Sequence, residues 1–228
     1  MGSLNAGILA IWNDCRPGGE AEYEAWYRGE HLRERVAIPG FQFGRRYVAV
    51  DSSSPQYFTY YETTDPGVLR SAAYTACGAN PTPLTRHIMA NVFANMNRTI
   101  CGREAADGAM RGSYAITVRA SDLSKQALAN SWPQVLALGG RVRSELWLSA
   151  ETDQAASVEE QIRGQHQLTG DQKIGDQKIG ASLFTEFADA ASATDAAIAL
   201  NTLLAGKPEI AIGQYQLFCT LDQRDLRS

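Results

Sequence analysis

Lysine and histidine are scarce in this chain. Among 228 residues there are four lysines (Lys125, Lys173, Lys178 and Lys207) and three histidines (His31, His87 and His166). The histidines have no close spacing to one another or to paired carboxylates, so no metal is expected. With a formal net charge of −4, the chain does not read as a phosphate-binding protein, and no nucleic-acid partner is expected. The four cysteines (Cys15, Cys77, Cys101 and Cys219) form no C-x-x-C pair. A chain this long needs no disulfide staple, and free thiols in a reducing cytoplasm are expected. No apolar run approaches the ~20 residues of a membrane helix. The start, "MGSLNAGILAIWNDC", lacks a basic segment and is interrupted by Asn13 and Asp14, so neither targeting nor a membrane partner is expected. The glycine patterns of nucleotide-binding loops and of the serine-hydrolase elbow are also missing.

What is present is an ordinary globular composition, 44% hydrophobic and 20% charged, and a weak internal similarity. Residues 57–76, "YFTYYETTDPGVLRSAAYTA", align without gaps on residues 183–202, "LFTEFADAASATDAAIALNT". Phe58-Thr59 falls on Phe184-Thr185 and Tyr61 on Phe187. In both, an aromatic strand leads through Asp and small residues to an Ala-rich helix. Residues 7–14 match 112–120, residues 38–50 match 138–150, and residues 86–96 match 209–221, all in the same order. The shared order argues for a duplication. Each half reads strand, helix, strand, strand, helix, strand, the ferredoxin-like order. The fold class is therefore α+β: a tandem duplication whose two antiparallel sheets pack into one intrachain α+β barrel. The halves are expected at residues 1–106 and 107–228. They differ at residues 151–181, a polar insertion with a direct repeat, "DQKIGDQKIG", expected as an exposed loop with a short helix around residues 155–163.

The stretch "EYEAWYRGEHLRERVAIPGFQFGRRYVAV", followed by "YFTYYETTDPGVLRSAAY", resembles the dimeric α+β barrel superfamily, which includes EthD-like, stress-responsive and antibiotic-monooxygenase-like proteins. It is most similar to bacterial members of unassigned function. The resemblance is good over residues 7–76 and faint over 112–221. It implies helices outside a barrel, a pocket between sheet and helices, and a barrel built from two chains or, here, from one. Only the first half keeps the superfamily's polar residues. Where it has Glu30-His31, the second has "NSWPQVLALGG", with Pro133 and no His. The resemblance thus implies one working half and one degenerate half.

The candidate chemistry gathers around residues 19–47. A helix over residues 19–35 carries a stripe of Tyr23, Trp26 and Tyr27. His31, four residues after Tyr27, falls on the stripe or its edge, near the helix C-terminus, where the dipole favours the imidazolium. It is either a general base or a helix-end histidine bonded to Glu30 or Glu34. In the next strand, alternation places Phe41, Phe43, Arg45 and Tyr47 on one face and Gln42, Gly44, Arg46 and Val48 on the other. A buried Arg45 or Arg46 needs an anionic ligand group or an ion pair with Glu62 or Glu30. Tyr57, Tyr60, Tyr61 and Tyr74 offer phenol donors or fill the core. The expected site comprises His31 as catalytic base, with Trp26, Tyr27, Arg45, Arg46, Tyr47, Tyr57, Tyr60, Tyr61 and Tyr74 binding a small apolar or aromatic organic molecule.

Three functional readings follow. The first is an enzyme with no cofactor that abstracts a proton next to a carbonyl, as monooxygenase-like or isomerase- and cyclase-like catalysts do. The second is a module that binds a small ligand or serves assembly. The third is a haem-binding barrel with His166 as axial ligand. A monomer or a homodimer fits each.

Overall fold

The computed structural model describes residues 5–50, 55–150, 157–166 and 178–227. Eight strands run along the chain: β1 Gly7–Cys15, β2 Phe41–Ala49, β3 Tyr57–Thr63, β4 Phe93–Asp107, β5 Tyr114–Ala120, β6 Arg141–Ser149, β7 Ala181–Phe187 and β8 Ile210–Asp222. They close into one antiparallel barrel in the order β1-β3-β2-β8-β5-β7-β6-β4. Within it, β4-β1-β3-β2 and β8-β5-β7-β6 share one ferredoxin-like order. The expected α+β barrel within a single chain is therefore observed. The two sheets meet through continuous ladders, β2 with β8 and β4 with β6, so closure leaves no free edge.

The length of β4 and β8 makes this possible. The first part of β4 pairs with β1 (Gly7↔Gly102 to Cys15↔Phe93), and its last part reaches across to β6 (Cys101↔Ser149 to Asp107↔Ser144). Strand β8 does the same between β5 and β2. Alternate residues then face two environments. Ile8, Ala10, Trp12, Tyr47, Phe58, Tyr60, Trp147 and Phe184 fill the barrel. Leu9, Ile11, Tyr57 and Tyr61 face outward, under the helices of the first half.

Helix α1 (Glu20–Trp26) passes through a π-helical turn, Tyr27–His31, into α2 (Leu32–Val36). The helix expected over residues 19–35 is present but not uniformly α-helical. After β3, Asp65 caps a 3-10 turn, Pro66–Arg70, before α3 (Ala72–Ala79) and α4 (Pro83–Asn91). Residues 86–96, expected as a strand, are therefore divided: the strand begins at Phe93. Thr82 caps the intervening helix by accepting from the Thr85 amide at 3.0 Å, with Pro83 at its start. The second half has α5 (Lys125–Asn130), α6 (Trp132–Leu136) and α8 (Ala190–Leu203), packed on its own sheet. No helix among the described residues is long and apolar enough to cross a membrane.

The insertion corrects another expectation. Its helix α7 (Val158–His166) is not an exposed segment of a loop; it lies against α3 and α4 of the first half. Ile162 joins the first-half core, Glu159 pairs with the buried Arg35, Glu160 meets Arg98 at 3.4 Å, and the buried Arg163 donates to Met89 Sδ at 3.1 Å. Most of these contacts are polar, which is why a scan for apolar periodicity misses them. Residues 167–177, with the first "DQKIG" and the start of the second, lie outside the described residues.

Removing Glu159 strands Arg35. Glu159→Gln is expected to cost about 2–3 kcal/mol, lowering the melting temperature by roughly 5–10 °C in thermal denaturation. An unchanged melting temperature would mean that α7 does not hold this position in solution.

Candidate functional site

Three features seat His31. The first is the π turn. In a regular α-helix, His31 would align with Tyr27; the wider turn instead stacks its ring on Trp26, five residues back, with centroids 4.3 Å apart and planes at 30°. Tyr27 presents its edge at 5.2 Å. The second is Gly44 on β2. A Cβ there would stand 2.7 Å from Leu32 Cδ1 and 2.9 Å from Tyr61, so glycine lets the helix lie close on the sheet. The third is a polar brace: Trp26 Nε1 donates to Thr85 Oγ1 at 2.9 Å, and Thr85 and Thr82 donate to Glu30 Oε1 at 2.7 and 2.5 Å.

His31 is buried, and among the described residues its Nδ1 has no hydrogen-bond partner. Neither Glu30 nor Glu34 holds it; Glu30 is occupied by the two threonines. Burial, and then the positive charges of Arg35, Arg163 and Arg46, hold the imidazole well below its ordinary value. The dipole argument for an imidazolium is therefore overturned, because the helical run continues to Val36 and desolvation dominates. His31 is a neutral imidazole at pH 7.

Arg46 lies beneath α1 on the outer face of the sheet. Its guanidinium sits over the rings of Tyr27, Tyr57 and Tyr23, at 4.0, 4.4 and 4.7 Å from their centroids. It donates to Glu24 Oε1 at 2.6 Å and Thr59 Oγ1 at 3.4 Å, while its Nε is buried and unpaired. Tyr27 and Tyr61 share a hydrogen bond at 3.0 Å, and burial raises the pKa of both, so they stay protonated. Tyr74 accepts from Arg98 at 2.7 Å and stacks on Phe41.

Of the residues expected to form one site, the structure gathers Trp26, Tyr27, His31, Arg46, Tyr57, Tyr61 and Tyr74 between helices and sheet. It places Arg45, Tyr47 and Tyr60 inside the barrel, on the other face. There Arg45 pairs with Glu186, which also accepts from Tyr47 at 3.1 Å. The expected ion pairs exist with other partners: Arg46 with Glu24 and Arg45 with Glu186, while Glu62 binds Arg103. Phe41 also leaves the face assigned to it. A bulge between Phe41 and Phe43 breaks the alternation and turns Phe41 toward Tyr61 and Tyr74. Sequence reasoning missed Arg35 and Arg163, whose charges reach His31 from α2 and from the insertion.

Of the described histidines, His31 stacks on Trp26 and His87 meets Glu22 at 3.0 Å. The side chain of His166 lies outside the described residues. Among the described residues, no three His, Cys, Asp or Glu side chains are grouped to hold a metal ion.

No protein-family model matches the chain, and no curated protein matches it. Solved structures do. An anthrone oxidase-like protein superposes with a TM-score of 0.62 at 9% identity, over 97% of this chain and 94% of that one. A candidate monooxygenase of Fusobacterium nucleatum gives 0.53 at 10% identity, covering 96% of each chain. A candidate monooxygenase of Lactobacillus acidophilus gives 0.52 at 7%, covering 96% and 97%. The chain has the dimeric α+β barrel fold. At these identities the likeness is one of fold, and here the barrel closes within one chain.

Because the folded pKa of His31 lies below the unfolded value near 6.5, its neutral form stabilises the fold fully above that value. The contribution is lost as pH falls below 6.5 toward the folded value, by up to about 1.4 kcal/mol per pH unit. His31→Phe is expected to melt within a few degrees of the wild type at pH 8 and above it at pH 5. Parallel melting curves across this range would contradict a buried neutral imidazole.

Proposed function

We propose that the chain is a small-molecule enzyme that needs no cofactor and removes a proton next to a carbonyl, with His31 as the base. The observation carrying this reading is the unpaired Nδ1 of a buried, neutral imidazole, walled by aromatic rings and approached by three guanidinium groups. In the reaction the substrate C–H bond breaks, its electron pair moves onto the carbonyl as an enolate, and the proton goes to Nδ1. Arg46 and Arg35 stabilise the enolate oxygen, and the protonated Tyr27–Tyr61 pair supplies a phenolic donor. The enolate then reacts with dioxygen, closes a ring or regains the proton elsewhere. The aromatic walls favour a flat, aryl-conjugated ketone, whose anion is delocalised.

The anthrone oxidase-like and monooxygenase neighbours are compatible with this chemistry and supply a first probe. The competing reading, a ligand-binding module, draws on one specific feature: among the described residues no carboxylate orients the imidazole, as one does in many histidine bases. Turnover separates the two.

Anthrone, whose acidic methylene is conjugated with its carbonyl through the aryl rings, and aryl alkyl ketones with a proton next to the carbonyl are the substrates to test, following oxygen uptake and product absorbance. His31→Phe is expected to lower kcat by about 10²–10⁴-fold while remaining folded. Arg46→Met is expected to raise the pH at which bound ketone ionises, seen as a shift in its absorbance spectrum. Stoichiometric binding without turnover across the panel would favour the binding module, and unchanged kcat in His31→Phe would remove His31 from the mechanism.

A further inference from the structure

The barrel interior holds a second cluster that the His31 chemistry does not use. At one end, Arg103 is gripped by Glu62 and Glu145, Arg143 donates to Glu145 Oε1 at 2.6 Å, and Arg45 pairs with Glu186. Arg111 enters from the connection between β4 and β5. It donates to the Tyr60 hydroxyl at 3.0 Å, while its contacts to carboxylates are long: 3.4 Å to Glu186, 3.5 Å to Glu145 and 3.6 Å to Glu62. Among the described residues this sets four guanidinium groups against three carboxylates, a surplus of one positive charge at this end of the barrel.

Two atoms show where the surplus lies. Arg143 Nη2 is buried without a partner, on a side chain only 4% exposed. Arg111 is one-third exposed, at 33%, and no carboxylate engages its fork with two short bonds. The two side chains are neighbours, since both touch Glu145 Oε1. Burial raises the Glu186 carboxyl above its ordinary value, against the lowering effect of Arg45 and Arg111. The connection is fixed in place. Arg143 donates to the Gly108 carbonyl at 2.7 Å and Arg45 to the Gly112 carbonyl at 3.0 Å. Gly108 itself has φ +90° and lies so close to Val142 that a Cβ would meet its carbonyl oxygen at 2.2 Å. Arg111 is thus held at the barrel mouth, with its guanidinium 5.0 Å from the Phe43 ring centroid.

We propose that this mouth is a binding site for a small organic carboxylate, whose two oxygens engage the Arg111 fork beside Arg143 and whose apolar part lies on Phe43. A buried guanidinium nitrogen without a partner, as at Arg143 Nη2, is costly, and a planar two-oxygen anion matches a guanidinium better than a spherical ion does. The site is separate from His31, on the opposite face of the sheet.

The test is calorimetric titration and thermal melting of the full chain with sodium benzoate and sodium formate, against sodium chloride at matched ionic strength. Saturable binding of the carboxylates is expected, tighter for benzoate, with no matching effect of chloride. Arg111→Met should weaken it by about tenfold or more, and His31→Phe should leave it unchanged. Equal effects of chloride, binding that survives Arg111→Met, or binding lost in His31→Phe would each overturn the proposal. Should Arg111→Met fail to fold, crystals of the wild type with 4-bromobenzoate decide: bromine beside Phe43 and Arg111 supports the site, and bromine elsewhere or absent refutes it.

Discussion

The hydrogen-bonded ladders at the two seams, β2 with β8 and β4 with β6, are the constraint on which the rest depends. Closing eight strands divides the strand residues between the barrel interior and its outer face, and away from the bulges neighbours in sequence take opposite sides. Arg45 and Arg46 show the consequence. One turns inward to Glu186 and the other outward to Glu24 and three tyrosine rings. Neither position tolerates an unpaired charge, so each arginine brings its own acidic partner, and two polar centres arise on the two faces of one strand.

Closure also frees the halves to differ. In the second half the space between sheet and helices is filled by Ile116, Val118, Leu128, Val135, Leu183 and the alanine face of α8, which is largely aliphatic packing. The corresponding space in the first half holds His31, Arg35, Arg46 and five tyrosines. The polar contents of that space do not close it by themselves. The second half contributes α7, whose Glu159 neutralises Arg35 and whose Ile162 and Arg163 complete the packing. The seams leave the chain free to send an insertion from one half across to the other.

Much of this was legible in the sequence, and the rest was hidden for physical reasons. Strand periodicity marked the barrel strands β1, β3, β5 and β8 within a residue or two, because aromatic and β-branched runs leave few alternatives. It misplaced the start of β4, where a threonine cap and Pro83 outweighed the apolar pattern. Of the outward set, Trp26, Tyr27 and His31 were found through the helical stripe and Arg46 through strand alternation. The inward set was wrongly joined to it, since strand alternation separates faces without saying what lies beyond each. The π turn at Tyr27–His31 had no sequence signal, and neither did Arg163, which is distant in the chain and embedded in a polar segment.

The neutral state of His31 constrains the chemistry further. Proton transfer from a neutral ketone creates an imidazolium and an enolate together. Guanidinium groups oppose the first and favour the second, and at about 4 Å each such interaction is of order 4 kcal/mol in a partly screened interior. The two effects cancel when both new charges lie equally far from Arg35, Arg46 and Arg163. Transfer is favoured only when the carbonyl oxygen points at the guanidinium groups and the acidic C–H points at Nδ1. A site of this kind therefore selects by orientation. A ketone whose enolate is conjugated with an aryl ring meets the requirement better than an aliphatic one, because the ring carries charge away from the imidazolium as it forms. The stacked and edge-on rings of Trp26 and Tyr27 offer the flat surface that such a substrate would lie against.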